Sequence, residues 1–291
     1  MGLIRSIPGR VFAFYWGEGI ADDVPALTYY LILSLAPFAL GVAALEALLL
    51  DYLSALEVAR QLNRFLPEAV HGDVQRLVTG TRDDSPLLIA LAVAAMLWTS
   101  SGGIGVIERC LSRMLGGKRF NMVVGRLRNV GLGLGVAAAV ILASLTTSAI
   151  TDLNGVLQLG NALPGWVLVG VNTVGSVLLF AAIYRYAPGT RMRWRSALLG
   201  GLPAGVGLQV VPAVIGLYVG GSAGFAAVRL FLVLAVILLG LYVIATLVLV
   251  GGGLAARAER RARRRATAPR ALAAQEGSRR EAAVAATTTA P

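Results

Sequence analysis

Long apolar runs without charge alternate along the chain with short connections that hold most of its ionisable residues. A helix needs about 20 apolar residues to cross the hydrocarbon core of a bilayer, and it satisfies its own backbone hydrogen bonds there. Six runs are long enough. The pattern predicts an all-α polytopic bundle with transmembrane helices at 24–50, 87–106, 130–150, 166–183, 197–219 and 230–251.

Three further segments lie outside these runs. Residues 1–23 are predicted to form an interfacial segment, and apolar positions at helical spacing predict short amphipathic helices in the external segment 52–85. The membrane domain is predicted to span 24–254. The Arg-rich segment 255–291 has little bulky apolar surface to offset its conformational entropy, so it is predicted to be a disordered tail.

The distribution of basic residues predicts the orientation in the membrane. Of 26 lysines and arginines, 21 fall on the side of the bundle that holds both termini, and 5 fall on the other side. Positive residues resist translocation, so we expect both termini in the cytoplasm, which is the usual arrangement of basic residues in an inner-membrane protein. The net charge of +11 is explained by this topology. Nucleic acid is therefore not an expected partner, although an anionic partner of the tail stays open.

Composition agrees with a membrane protein and offers little for catalysis. The chain is 57% hydrophobic and 14% charged, with a mean hydropathy of +0.74. The single His71 and single Cys110 leave no histidine or cysteine cluster for a metal, and no phosphate-binding glycine loop is present. We expect neither an enzyme nor a bound cofactor.

Glycines and prolines within the predicted spans favour close helix packing and irregular helices. Gly201 and Gly205 form a GxxxG pair, which serves packing inside one chain or a homo-oligomer equally well. Pro37, Pro203 and Pro212 predict two kinked or broken helices. Discontinuous helices line polar paths in many transporters.

Polar or helix-breaking residues within or at the ends of the spans are the candidates for a substrate path or gate, because polar groups in lipid need partners. Two interpretations of Glu108–Arg109 and Arg185 are equally favoured: a charge network that closes the inner face, and snorkelling of the side chains to headgroups. The whole candidate set is Tyr29, Tyr30, Ser34, Pro37, Ser100, Ser101, Glu108, Arg109, Arg185, Pro203 and Gln209.

Three stretches resemble the YihY family, also called the BrkB virulence factor family. They are the run from Ala26 to Pro37, the run from Leu97 to Gly103 with Ile107-Glu108-Arg109, and the pair Tyr184 to Pro188 and Trp194 to Gly201. The chain departs from the family pattern at Ser112 and in the end of its last span, which lacks an acidic residue.

The resemblance implies an inner-membrane protein with six helices that is linked to the cell envelope and, in some members, to export of lipid or lipid-linked material. Membrane lipids are the expected partners. Three hypotheses follow: transport of a lipid or amphipathic solute, a scaffold that binds envelope partners or anionic lipid, and the ribonuclease activity that an old family label suggests.

Overall fold

A computed structural model describes residues 15–49, 86–116, 121–156, 165–220 and 226–288. Within these ranges the secondary structure is helical, with no strand. The long helices are α1 (Ile20–Leu49), α2 (Pro86–Leu115), α3 (Met122–Val156), α4 (Gly165–Tyr186), α5 (Trp194–Gly220) and α6 (Ala226–Thr288). Six helices are long and apolar enough to cross a membrane, which confirms the predicted all-α bundle.

Glycines mark two of the helix ends. Gly19 precedes α1 with a φ of 68°, and Gly116 follows α2 with a φ of 65°. Only glycine adopts this left-handed conformation without steric cost, so each position favours a helix boundary. Asp22 and Asp23 lie in the first turn of α1, where their negative charge stabilises the positive end of the helix dipole.

The helices form two groups of three. The first group is α1 to α3, in which α1 packs along α2 and α2 packs along α3. The second group is α4 to α6, in which α5 packs against both of its neighbours. The most extensive contacts between the groups are those of α6 with α1 and α2.

Glycines bring α4, α5 and α6 close together. A Cβ on Gly200 would lie 2.3 Å from the Gly251 carbonyl oxygen, so the backbones of α5 and α6 are in contact there. Gly201 and Gly205 lie against Val177 of α4. The GxxxG pair therefore serves packing within the chain.

The larger buried core lies at one end of the bundle, which we call the ionic end because Glu18, Glu108 and Glu259 lie there. This core joins both groups, and its largest members include Ile20, Leu27, Leu111, Tyr184, Met192 and Leu249. A second, smaller core lies toward the opposite end and contains Val42, Met96, Ala137 and Ile141. All four come from α1, α2 and α3, so this second core belongs to the first group alone.

Two expectations about helix continuity differ from the structure. Of the predicted kinked or broken helices, the broken alternative is wrong, because α1 and α5 continue through Pro37, Pro203 and Pro212. The predicted disordered tail is also helical, since α6 runs to Thr288. Ala255 and Ala256 are fully buried, which explains the order of the first part of this segment. The first 14 residues of the predicted interfacial segment 1–23 and the whole predicted external segment 52–85 lie outside the described residues.

Candidate functional site

The polar contacts of the bundle concentrate at the ionic end, where Glu18 joins the start of the first group to α6. Its carboxylate oxygen lies 2.7 Å from the Arg260 guanidinium and 3.4 Å from Nε of Arg257. Nearby, burial raises the pKa of the Tyr15 phenol, and a hydrogen bond with Tyr242 raises it further. The segment before α1 is thus attached to the last helix by charge and by packing.

Asp23 makes a second ion pair at this end, with Arg113 of α2. Both residues belong to the first group of helices. The pair therefore stabilises α1 against α2 without connecting the two groups.

Glu108 is the centre of a third polar cluster. Its carboxylate lies 3.0 Å from the Arg128 guanidinium and accepts a hydrogen bond of 2.8 Å from the Asn129 side chain. Arg128 also donates to the carbonyl oxygen of Ala187, at the end of α4. Arg128 therefore connects the first group to the second.

The neighbourhood of this cluster holds unused hydrogen-bonding capacity. Among the described residues, the buried Ser112 Oγ and the Oδ1 atom of Asn129 have no hydrogen-bond partner. Buried polar atoms of this kind are costly unless water or a ligand reaches them.

Glu259 of α6 binds the segment that connects α4 with α5. Its side chain is only 3% exposed, and it accepts hydrogen bonds of 3.1 Å from the Arg193 backbone N–H and the Arg263 guanidinium. Ser196 hydrogen-bonds the same carboxylate. Arg263 in turn donates to the carbonyl oxygen of Arg191, over 3.1 Å. This network explains why α6 stays ordered beyond the end of its apolar run.

Arg185 does not join Glu108 in the expected charge network. Its guanidinium donates to the Met192 carbonyl oxygen and lies 4.9 Å from the centroid of the Trp194 ring. It also lies 5.7 Å from the Tyr186 ring. Arg185 therefore organises the turn between α4 and α5. Arg109 is exposed, and the partners of Glu108 come from α3 instead.

The predicted residues of α1 and α2 have separate surroundings. Tyr29 is 61% exposed and stacks edge-on with Tyr30, whose ring lies against Gly102 of α2. Pro37 is half-buried on α1. The hydroxyls of Ser34, Ser100 and Ser101 donate to the carbonyls of Leu31, Leu97 and Trp98 in their own helices.

On α5, Pro203 is half-buried and Gln209 hydrogen-bonds Ser176 of α4 over 3.3 Å. These contacts do not bring the candidate residues into one cluster.

The structure adds functional candidates that the sequence analysis missed. Glu18 and Glu259 lie outside the predicted spans, and Arg128 and Asn129 lie in a connection whose charge the topology already explained. One feature of the sequence could have indicated these residues. The segments at this end hold few carboxylates and many arginines, so each carboxylate has an arginine within reach.

Tyr184 joins the second group internally at the same end. It is fully buried, and its hydroxyl donates a hydrogen bond of 2.6 Å to the Val248 carbonyl oxygen of α6. No cluster of three or more histidine, cysteine, aspartate or glutamate side chains suited to a metal occurs in the described ranges. The arrangement is thus a set of structural ion pairs that close one end of a helical bundle.

The sequence model of the BrkB virulence factor family matches residues 11–276. This chain belongs to that family. The resemblance inferred from the three motif stretches is therefore confirmed, and the BrkB family chain described here is a multi-pass membrane protein.

Individual relatives of the BrkB family chain are distant. It is 23% identical over 240 residues to YfkH of Bacillus subtilis (strain 168), which is named ribonuclease-like, and the alignment covers 79% of this chain and 86% of YfkH. It is 25% identical over 276 residues to a UPF0761 membrane protein of Delftia acidovorans, covering 87% of this chain and 63% of the relative. A third relative, a UPF0761 membrane protein of Albidiferax ferrireducens, is 30% identical over 178 residues, which is 58% of this chain and 40% of the relative.

The chain therefore spans less than two thirds of the length of these two UPF0761 relatives. No solved structure matches this chain.

Proposed function

We propose that this chain moves a lipid or amphipathic solute across the bacterial plasma membrane, with its ionic end in the cytoplasm. The observation that carries the proposal is that, among the residues whose burial the structure describes, the core shared by the two groups of helices lies at the ionic end. Toward the opposite end, the second core belongs to α1, α2 and α3 alone. A path between the groups that is closed at the ionic end is consistent with this arrangement.

Each group contains close contacts between its helices, which favour motion of the group as a unit. The backbones of α5 and α6 are in contact at Gly200 and Gly251, and a hydrogen bond from Tyr184 connects α4 to α6. In the first group, a Cβ on Gly41 of α1 would lie 2.6 Å from Met96 of α2. Tightly packed units of this kind move as bodies, because their cores do not deform continuously.

The polar links between the groups are ones that break and re-form at modest cost. They include the pairs of Glu18 with Arg257 and Arg260, and the hydrogen bond from Arg128 to Ala187. Partly exposed ion pairs contribute only about 1 kcal/mol each, so the buried apolar core that joins the groups supplies most of the free energy that holds this end closed.

Leaflet exchange of fluorescent lipids in liposomes tests the proposal. Vesicles that contain the purified protein should exchange lipid faster than empty vesicles. Glu18→Gln removes the charge that links the groups and should raise the rate. Asp23→Asn is the matched control, because its partner Arg113 lies in the same group, and it should leave the rate near that of the wild type.

Equal rates in protein-containing and empty vesicles, across several headgroups and with folding confirmed, contradict lipid movement. Equal effects of the two variants contradict the assignment of Glu18 to a gate.

A non-transporting scaffold is the second candidate, and one observation favours it. Helix α6 continues to Thr288, past the packed contacts of Arg257, Glu259 and Arg263. This Arg-rich extension offers a surface for an anionic lipid or envelope partner. Removal of the extension separates the two candidates.

We propose no enzymatic role. The word ribonuclease belongs to the name of YfkH, and ion pairs hold Glu108 and Glu259 of this chain in structural contacts. RNA cleavage by the purified protein that depends on added Mg²⁺ or Mn²⁺ would overturn this part of the proposal.

A further inference from the structure

The face formed by α2 and α3 carries an exposed arginine on a tryptophan. Arg126 lies in the second turn of α3, and its guanidinium carbon is 4.2 Å from the centroid of the Trp98 ring of α2. Trp98 is itself 69% exposed, so the pair lies on the outside of the bundle. In the part of the chain that the structure describes, no carboxylate pairs with Arg126.

Arg126 lies at the ionic end of the bundle, because Arg128, two residues later on α3, pairs with Glu108 there. Trp98 lies ten residues before Glu108 on α2, or about 15 Å of helix, so its ring contacts the guanidinium from the apolar side of the span. The face of an aromatic ring attracts the positive charge but accepts none of its N–H groups well. A guanidinium in this setting needs a hydrogen-bonding anion, because lipid tails supply no acceptor.

The surfaces around the pair are apolar and exposed. On α2, Leu91 and Ala94 precede Trp98 by two turns and one turn, and both are exposed. On α3, Val123 and Leu134 are exposed on the same side of the helix as Arg126. Such a surface accommodates acyl chains beside a single cationic group.

We infer that the face between α2 and α3 binds the headgroup phosphate of an anionic phospholipid through Arg126, with Trp98 as the platform that holds the guanidinium. The planar guanidinium donates two parallel hydrogen bonds to phosphate oxygens. The charge of the site favours an anionic headgroup, because none of the described carboxylates lies there to accept the ammonium group of a zwitterionic one.

Native mass spectrometry of the full chain, released from nanodiscs that contain equal amounts of phosphatidylglycerol and phosphatidylcholine, tests this site. The wild type should retain phosphatidylglycerol in preference to phosphatidylcholine. Arg126→Gln should lower the fraction of protein with bound phosphatidylglycerol about tenfold, which is the loss expected for a charged hydrogen-bonded contact. Trp98→Ala should lower it less, since the guanidinium remains.

Arg195→Gln is the control, because Arg195 is an exposed arginine of α5 with the same charge. It should retain phosphatidylglycerol as the wild type does. Inorganic phosphate added in place of the lipid should give no retained adduct, because the apolar surfaces bind acyl chains.

Equal retention by Arg126→Gln and Arg195→Gln overturns the site. So does a wild type that retains both lipids equally, a result that does not depend on the folding of any variant. Lipid retention is measured without leaflet exchange, so this test succeeds or fails separately from the proposed transport.

Discussion

Glu108 shows how a helical register decides which charges meet. Its sequence neighbour Arg109 is exposed, whereas its partners Arg128 and Asn129 come from α3. Adjacent residues of a helix point about 100° apart, so neighbours in the sequence do not face each other. The sequence predicted an important carboxylate here, but the partner depends on how α2 and α3 pack, which no local pattern contains.

Loss of the Glu108 carboxylate should therefore cost stability. Its side chain is 13% exposed and that of Arg128 is 22% exposed, so Glu108→Gln leaves a largely buried guanidinium without its counter-charge. We expect the free energy of unfolding to fall by about 2 kcal/mol. Denaturant unfolding in detergent micelles measures this change.

Arg109→Gln is the matched control and should change the unfolding free energy by less than about 0.5 kcal/mol, as is usual for surface positions. A larger loss from Arg109→Gln than from Glu108→Gln would show that the α2–α3 pairing is wrong.

The hydroxyls of Ser34, Ser100 and Ser101 also have partners that the sequence analysis did not anticipate. Polar residues in a span were predicted to need partners, and they have them, but the acceptors are carbonyls of the same helix. Local bonding of this kind satisfies the side chain without any neighbouring helix. The presence of a polar residue in a span is therefore only weak evidence that the residue lines a substrate path.

At the scale of the helices, prediction succeeded where the signal is local. The apolar length of each span is a property of one segment, and all six predicted spans coincide with helices. The order of α6 beyond residue 254 was missed, because that segment was assessed by its content of bulky apolar residues. Its alanines, arginines and glutamates favour helix, and the small Ala255 and Ala256 fit a crowded position.

The contact between α5 and α6 gives a prediction at this scale. In Gly200→Ala, the new methyl group would lie 2.3 Å from the Gly251 carbonyl oxygen and 2.7 Å from the Ala255 side chain. The helices must separate to accept it, so the variant should lose about 2 kcal/mol of stability. Thermal unfolding in detergent measures the loss.

Gly216→Ala, on the same helix, has open space around its new methyl group. It should unfold at or slightly above the temperature of the wild type, since alanine favours helix over glycine. Equal losses in the two variants would contradict the close approach at Gly200.

At the scale of the whole molecule, the division into two groups of helices was not predictable. It depends on which helices pack together, and the apolar pattern of each span is compatible with many arrangements. The comparisons with relatives supply the family but not this arrangement, because no solved structure matches the chain. The placement of a shared core at the ionic end is therefore new information from the structure.

A chain that ends after Ala266 should distinguish transporter from scaffold. It keeps the packed part of α6 and the contacts of Glu18 with Arg257 and Arg260, so we expect its thermal stability to match that of the full chain. A transporter of this architecture should retain most of its leaflet exchange in liposomes. A scaffold that acts through the extension should lose its role in cells although the protein remains folded.

The ionic end also sets an order of events during synthesis. The first three helices bring their own buried core and the pairs Asp23–Arg113 and Glu108–Arg128, so they are able to associate as soon as they leave the ribosome. Glu18 cannot form its ion pairs at that stage, because Arg257 and Arg260 are translated more than 200 residues later. Closure of the ionic end therefore requires the synthesis of α6, and a chain without α6 lacks both arginine partners of Glu18.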